Sequence, residues 1–233
     1  MSIFNSKDRI LIIAPHCDDE ILGCGGTLKL LSNKGIDSTL YFATGHGEKS
    51  HPLWPRKTWD VVREEAERAS KIIGINKIIY GNLPAVCLPD LEVYKVNKVI
   101  SSIIKEINPT IVFSPWMGDL HKDHEVISYA LSVCLRPHLI NNKDIRLLLA
   151  YEVLSETDLA IKHNNHQYFN ANLFCDISEV INYKLDALRC YESQLLDYPS
   201  LRTIDSSEAL AKLRGAHIGT KYAEAFSILY SRA

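Results

Sequence analysis

Arg9-Ile10-Leu11-Ile12-Ile13-Ala14-Pro15-His16-Cys17-Asp18-Asp19-Glu20 decides the fold of this chain. Arg9 to Ala14 is short and almost continuously apolar, the pattern of a strand buried on both faces, as in a parallel sheet covered by helices. The polar residues that follow end the strand. A helical pattern then runs from about Asp19 to Lys34 and closes at Gly35, so the histidine and the carboxylates sit in a strand-to-helix turn.

Outward from this stretch the alternation repeats. Ser38 to Thr44 reads as a second strand, and Val62, Ala66, Ala69 and Ile73 trace the buried face of a helix ended by Gly74. Lys77 to Tyr80 is a third strand. Asp90 is placed to cap a helix with the stripe Val96, Val99, Ile100, Ile103, Ile104 and Ile107, which Pro109 stops. Thr110 to Ser114, a helix from Asp123 to about Leu135, and Arg146 to Val153 continue the series, and Leu173 to Ile177 adds a strand at an edge. From Glu179 the pattern turns helical: Glu179 to Leu196, Ser207 to Leu213 and Tyr222 to Tyr230. The expected fold class is α/β, Rossmann-like and doubly wound. Its sheet is mostly parallel in the order 3-2-1-4-5, with helices on both faces and a helical C-terminal part. No repeat, low-complexity tract or linker divides the sequence, so residues 1–233 are expected to form one domain. The Asn- and His-rich stretch from His163 to Asn172, with His163-Asn164-Asn165-His166, reads as a solvated loop.

Composition narrows the function. At 46% hydrophobic residues the chain can bury a substantial core. A net charge of −2 without a basic block argues against nucleic acid as a partner, because phosphate neutralisation needs clustered Lys and Arg. The six cysteines are scattered, with no Cys-x-x-Cys, which suits a reduced, cytoplasmic protein. The first eight residues lack the apolar core of a signal peptide, and no stretch reaches the roughly 20 apolar residues of a membrane helix. A homo-oligomer is compatible with the sequence, although no heptad seam specifies one.

A second polar cluster, His121-Lys122-Asp123-His124, follows the fourth strand. In the order 3-2-1-4-5 the first and fourth strands are neighbours, and functional groups gather at the carboxyl ends of such strands. His16 and Asp19, three residues apart at a helix start, make a His2Asp set with His124. A fourth position is left for solvent, which is the pattern of catalytic zinc and not the closed four-ligand structural one. Zinc is expected; ferrous iron suits similar ligands. Such a metal lowers the pKa of water from about 15.7 to about 7 and polarises a carbonyl. Asp18, next to a ligand, is the candidate general base. His121, oriented and charged by Asp123, is the candidate to stabilise an oxyanion or to protonate a leaving amine. Singly, an Asp-Asp-Glu at a helix start is mostly capping and a His-x-x-His mostly surface decoration; their pairing is what defines a site. Glu20 is expected to serve the helix start. Gly23-Cys24-Gly25-Gly26 lacks the Gly-x-Gly-x-x-Gly spacing of a dinucleotide loop and reads as close packing of helix on sheet.

These residues resemble the LmbE-like, or PIG-L, family of zinc-dependent N-acetyl sugar deacetylases. The family opens with Pro-His-x-Asp-Asp-Glu, here Pro15 to Glu20, followed by Gly25-Gly26-Thr27-Leu28. Its later Asp-x-His-x-Asp-His is Asp119 to His124. Further matches are Thr44 to Glu48, Lys184 to Gln194 with the ending Tyr191-Glu192-Ser193-Gln194, and Tyr222 to Phe226, so the resemblance covers nearly the whole chain. It implies zinc at His16, Asp19 and His124, a general base at Asp18, and a transition-state histidine at His121 paired with Asp123. It also implies removal of the N-acetyl group from an N-acetylglucosamine-type conjugate, giving acetate and a free amine. Cys17 stands where the family often has Pro. Members acting on inositol or malate conjugates use an Arg early in the second helix, which Arg63 approaches with an offset of about one residue, and an Asp that Gly81 to Leu88 does not offer. Specificity is therefore expected from the loop Gly45 to Lys57, with His46, Lys49, His51, Trp54 and Arg56; His46, Arg56 and Arg63 are the candidate substrate contacts. A zinc amidase cleaving a larger acyl or thiol conjugate is the alternative reading.

Overall fold

The apolar run at the head of the chain forms the central strand, β1 (Arg9–Ala14). β2 (Asp37–Gly45) and β4 (Ile111–Pro115) flank it in parallel, so that Ile12 lies opposite Leu40 on one side and Phe113 on the other. β3 (Lys77–Pro84) joins β2, and β5 (Leu147–Tyr151) joins β4, again in parallel. Beyond β5 the direction reverses. β7 (Ala223–Ser231) pairs antiparallel with β5 and with the edge strand β6 (Leu173–Asp176), giving the order β3-β2-β1-β4-β5-β7-β6. The structure, a computed structural model, describes residues 3–136, 138–139, 144–160 and 168–232. The expected loop His163-Asn164-Asn165-His166 lies outside the described residues.

Side chains of β1 alternate between two cores, as a period of two requires. Ile10, Ile12 and Ala14 pack under α1 (Asp19–Asn33), α2 (Lys57–Ile73) and α6 (Ile181–Arg189). Leu11 and Ile13 pack against α3 (Val93–Ile107) and α4 (Lys122–Cys134) on the other face. The stripe Val96, Ile100, Ile103 and Ile104 is buried as its helical spacing predicts. Asp90 does not cap α3: it ends a 3-10 turn, Leu88–Asp90, and Glu92 precedes the helix. The expected helix Glu179 to Leu196 stops earlier, at Arg189, which frees Tyr191 to Gln194 to turn toward the carboxyl end of the sheet.

Residues 222–230 correct the expectation of a helical end. They form β7, because the open edge of β5 needs a partner and the run Phe226 to Tyr230 suits a strand; pairing overrides the helix-forming Ala-Glu-Ala at its start. The C-terminal part is helical only through α7 (Ile204–Ile218).

α1 lies unusually close to its neighbours. A Cβ on Gly23 would meet Tyr151 Cδ2 at 2.3 Å, and one on Gly26 would meet Ile177 Cδ1 at 2.8 Å, so glycine is what lets the helix settle on β5 and the start of the C-terminal region. The same flank receives a buried ion pair. Lys184 Nζ donates to the Leu22 carbonyl (2.8 Å) and to Glu224 (2.6 Å), while the Glu224 carboxylate accepts from the N–H groups of Gly26 (2.8 Å) and Thr27 (2.7 Å). Leu22 C=O and Gly26 N–H are the groups that a regular helix joins to each other. Lys184 and Glu224 thus clasp the middle of α1 and fix the helix whose first turn carries Asp19.

Candidate active site

β1 and β4 are adjacent, yet the sheet continues from β1 to β2 on one side and from β4 to β5 on the other, which opens a crevice at their carboxyl ends. Both polar clusters enter that crevice. His16 to Asp19 follows β1 directly; Asp119 to His124 follows β4, with His121 at the cap of α4 and its Nδ1 accepting the Asp123 N–H (3.1 Å).

The turn between β1 and α1 is strained. Asp18 has φ 119° and ψ −30°, a backbone conformation that side chains other than glycine rarely adopt. Glu20 holds it there: Oε2 accepts the Asp18 N–H (3.1 Å) while Oε1 accepts the Tyr191 hydroxyl (2.5 Å). Glu20 serves the helix start as expected, and Tyr191 is the residue that braces it.

His16, Asp19 and His124 come together, with one ligand atom from each lying within 4.8 Å of the others. Asp19 Oδ2 is 3.4 Å from His16 Nδ1 and 3.2 Å from His124 Nε2. The other nitrogen of each imidazole is tied to a carboxylate: His16 Nε2 donates to Asp123 (3.0 Å) and His124 Nδ1 to Asp119 (2.8 Å). Carboxylates that fix the tautomer in this way are the usual outer partners of metal-binding histidines. Asp119 is itself held by the hydroxyl of Thr157 (2.6 Å), at the end of the short helix α5 (Leu154–Thr157). Asp123 therefore lies against His16. The expected pairing with His121 is made through the Asp123 main chain, because its carboxylate is drawn to His16 and to the N–H groups of Val86 (2.7 Å) and Leu88 (3.2 Å).

Electrostatics and unpartnered atoms both fit a cation here. Asp19 Oδ1 and His124 Nε2 are buried without a hydrogen-bond partner, as is Asp18 Oδ1. Burial alone lowers the pKa of His16 and His124, but the carboxylates around them outweigh it, chiefly Asp123 and Asp19 for the first and Asp19 and Asp119 for the second. The values rise to about 9 and about 10. Two protons or one divalent cation would answer the same excess of buried carboxylate. Burial pushes Asp18 up, with Arg202 opposing, and holds His121 below its ordinary value, with His16 and His124 adding to the effect.

A cavity of about 540 Å³ opens over this cluster, lined among others by His16, His121, Trp54, Trp59, Gln194 and Arg202. The three candidate substrate contacts do not line it. His46 packs edge-on against Trp59 (5.3 Å), Arg63 lies over the Tyr80 ring (5.0 Å), and Arg56 stands exposed before α2. Instead, Arg202 reaches the site from the segment before α7, with Nη2 3.1 Å from Asp18 Oδ2. Nothing in its sequence surroundings marks it. Asp119 was signalled by its place in Asp-x-His-x-Asp-His.

A doubly wound sheet with a histidine–carboxylate cluster at its switch point defines an α/β protein with a candidate metal centre. The chain belongs to the PIG-L family, described as GlcNAc-PI de-N-acetylase, which residues 11–135 match. It is 32% identical over 241 residues to a diacetylchitobiose deacetylase of Thermococcus kodakarensis, covering 95% of this chain and 83% of the relative. It is 25% identical to a "Probable N-acetyl-alpha-D-glucosaminyl L-malate deacetylase 2" of Bacillus anthracis, over 81% of this chain and 82% of the relative. The solved N,N'-diacetylchitobiose deacetylase of Pyrococcus horikoshii shares the fold, with a TM-score of 0.74 at 22% identity over 97% of this chain and 88% of that one.

Proposed function

We propose that the protein is a metal-dependent N-deacetylase that removes the acetyl group from an N-acetylglucosamine-type sugar, releasing acetate and a free amine. One observation carries this reading: a His2Asp donor set with unpartnered buried atoms lies beside a second carboxylate, Asp18, whose Oδ1 is also unpartnered. His16, Asp19 and His124 would hold the metal, for which zinc fits best and ferrous iron suits the same donors. When bound, a divalent metal acidifies water and polarises the amide carbonyl.

The chain's own residues supply the rest. Arg202 engages Asp18 Oδ2, which leaves Oδ1 to take the proton of the attacking water and deliver it to the departing nitrogen. His121 Nδ1 accepts a main-chain N–H, so in the neutral ring the proton sits on Nε2. That nitrogen is a hydrogen-bond donor for the oxyanion that forms on the acetyl carbon. Asp119 and Asp123 orient the two metal-binding imidazoles. None of the six cysteines is in a disulfide and no described helix is long and apolar enough to cross a membrane; the setting we propose is the cytoplasm.

The test is acetate release by zinc-loaded protein over a panel of N-acetylglucosamine derivatives, with Asp18→Ala alongside. The variant is expected to keep its metal and to lose activity by about 100-fold or more, the range of a general base. Undiminished turnover in Asp18→Ala would overturn the mechanism. Faster release of bulkier acyl groups than of acetate would favour the amidase reading.

A further inference from the structure

One wall of the cavity is made of indole. Trp54 and Trp59 line it together with His16 and His121, and Trp54 is 41% exposed. The wall is built to stay in place. His51 is buried behind it; Nε2 donates to the Ala85 carbonyl (2.9 Å), and Nδ1 accepts the N–H groups of Leu53 (3.2 Å) and Trp54 (3.3 Å). Trp54 stacks on the His51 ring at 5.2 Å and 23°, and Trp59 leans on the same ring at 4.7 Å. A surface already ordered in this way loses little conformational freedom when a ligand lands on it.

The charge of the cavity is as informative as its shape. Among the described residues lining it, Arg202 is the one Arg or Lys, and Asp18 engages it. Glu156 is the carboxylate on the lining, and Thr58 and Gln194 offer neutral hydrogen-bonding groups. A malate or phosphate group would find a single cation among the described lining residues, and the charge of that guanidinium is already shared with Asp18 through Nη2. A pyranose fits better: its ring presents a face of C–H groups that packs on an indole, while its hydroxyls at the edge hydrogen-bond to neutral amides and alcohols.

We infer that Trp54 and Trp59 form a stacking subsite for a second sugar ring, so the substrate is a neutral oligosaccharide in which the N-acetylated sugar is joined to another sugar. This rests on the deacetylase reading and names the aglycone within it. The ring next to the scissile amide lies on Trp54, with Trp59 and His51 holding that indole upright.

Binding and turnover separate the two readings. Zinc-loaded His121→Ala protein, slowed in turnover but keeping the Asp18–Arg202 pair, would be titrated with N-acetylglucosamine, N,N'-diacetylchitobiose and N-acetylglucosamine 1-phosphate, following tryptophan emission and heat. The disaccharide is expected to bind about tenfold more tightly than the monosaccharide, about 1.4 kcal/mol, and to shift the emission. The phosphate should gain nothing over the monosaccharide. Adding Trp54→Ala should erase the disaccharide preference with metal content unchanged, and Trp54→Phe should restore part of it. Equal affinity for one and two rings, a preference that survives in Trp54→Ala, or tightest binding of the phosphate would overturn the subsite. Disaccharide binding through Trp54 without acetate release by the unmutated enzyme would keep the subsite and remove the deacetylase reading. Acetate release from a single sugar ring as fast as from two would do the reverse.

Discussion

Arg202 Nη2 lies 3.1 Å from Oδ2 of Asp18, so a guanidinium from the far end of the sequence grips the carboxylate in the strained turn after β1. Both groups are shielded: the Asp18 side chain is 2% exposed and that of Arg202 27%. The contact takes up one carboxylate oxygen and leaves the other without a partner. In the proposed mechanism Arg202 is accordingly a positioning residue.

Arg202→Ala is expected to lower kcat by about tenfold to a hundredfold, about 1.4 to 2.7 kcal/mol on the barrier, with metal content unchanged and KM altered much less. Arg202→Lys should recover part of the loss, since the charge returns without the planar fork. Steady-state kinetics with metal analysis on both variants checks this. A loss confined to KM would mean that Arg202 binds substrate and does not position Asp18.

Asp119 and Asp123 hold the outer nitrogens of His124 and His16. Asp119→Asn and Asp123→Asn should each weaken metal affinity by about 10- to 100-fold, the usual effect of removing such a partner. Competition with a chromophoric chelator measures it. Unchanged affinity in both would separate these carboxylates from the metal.

The Lys184–Glu224 pair is buried on both sides, with side chains 4% and 2% exposed. Removing one member strands the other charge, so Glu224→Ala should destabilise the fold by about 3–5 kcal/mol in urea unfolding. Replacing both should cost less than the sum of the single losses, because neither charge is then left alone. Strict additivity would show that the two side chains act independently.

At the opposite, amino end of the sheet, Asp8 accepts from Arg146 Nε (3.0 Å), the Thr110 hydroxyl (2.9 Å) and the Asn5 N–H (2.8 Å). Burial alone raises the Asp8 pKa; these donors outweigh it and hold the group below its ordinary 3.8. A folded value below the unfolded one means that the contribution to stability is complete above 3.8 and is lost as pH falls through the folded value. Asp8→Asn should therefore be less stable than the unmutated protein at neutral pH, and the gap should narrow well below pH 3.8. A gap that stays constant with pH would assign the effect to packing.

The parallel half of the fold was legible because continuous apolar strands and amphipathic helices have distinct periods. Arg9 to Ala14 and the stripe from Val96 to Ile104 could each be read on their own. β7 could not. Ala223-Glu224-Ala225 favours a helix locally, and only the waiting edge of β5 makes it a strand. The ligand set was legible because each cluster is contiguous. Arg202 was hidden because its partner is distant in sequence and its own segment has no period. In the loop from Gly45 to Lys57 Trp54 reaches the cavity, as the sequence suggests, whereas His46 and Arg56 do not line it; Trp59 lies beyond the loop, in α2, where nothing local separates it from a core-facing helix residue.

The clasp on α1 also bears on how the molecule comes together. Glu224 meets Gly26 across a separation of 198 residues, and Tyr191 meets Glu20 across 171. Contacts of this range are slow to form, because the intervening chain must be ordered before they yield anything. Local helix formation can build α1 early, but the turn that presents Asp18 and Asp19 gains its brace only when the segment after α6 has docked, and α1 gains its clasp only with the last strand. Metal capture should accordingly be a late event in refolding, rising with the slowest phase, so that a loaded centre reports a chain that has finished folding.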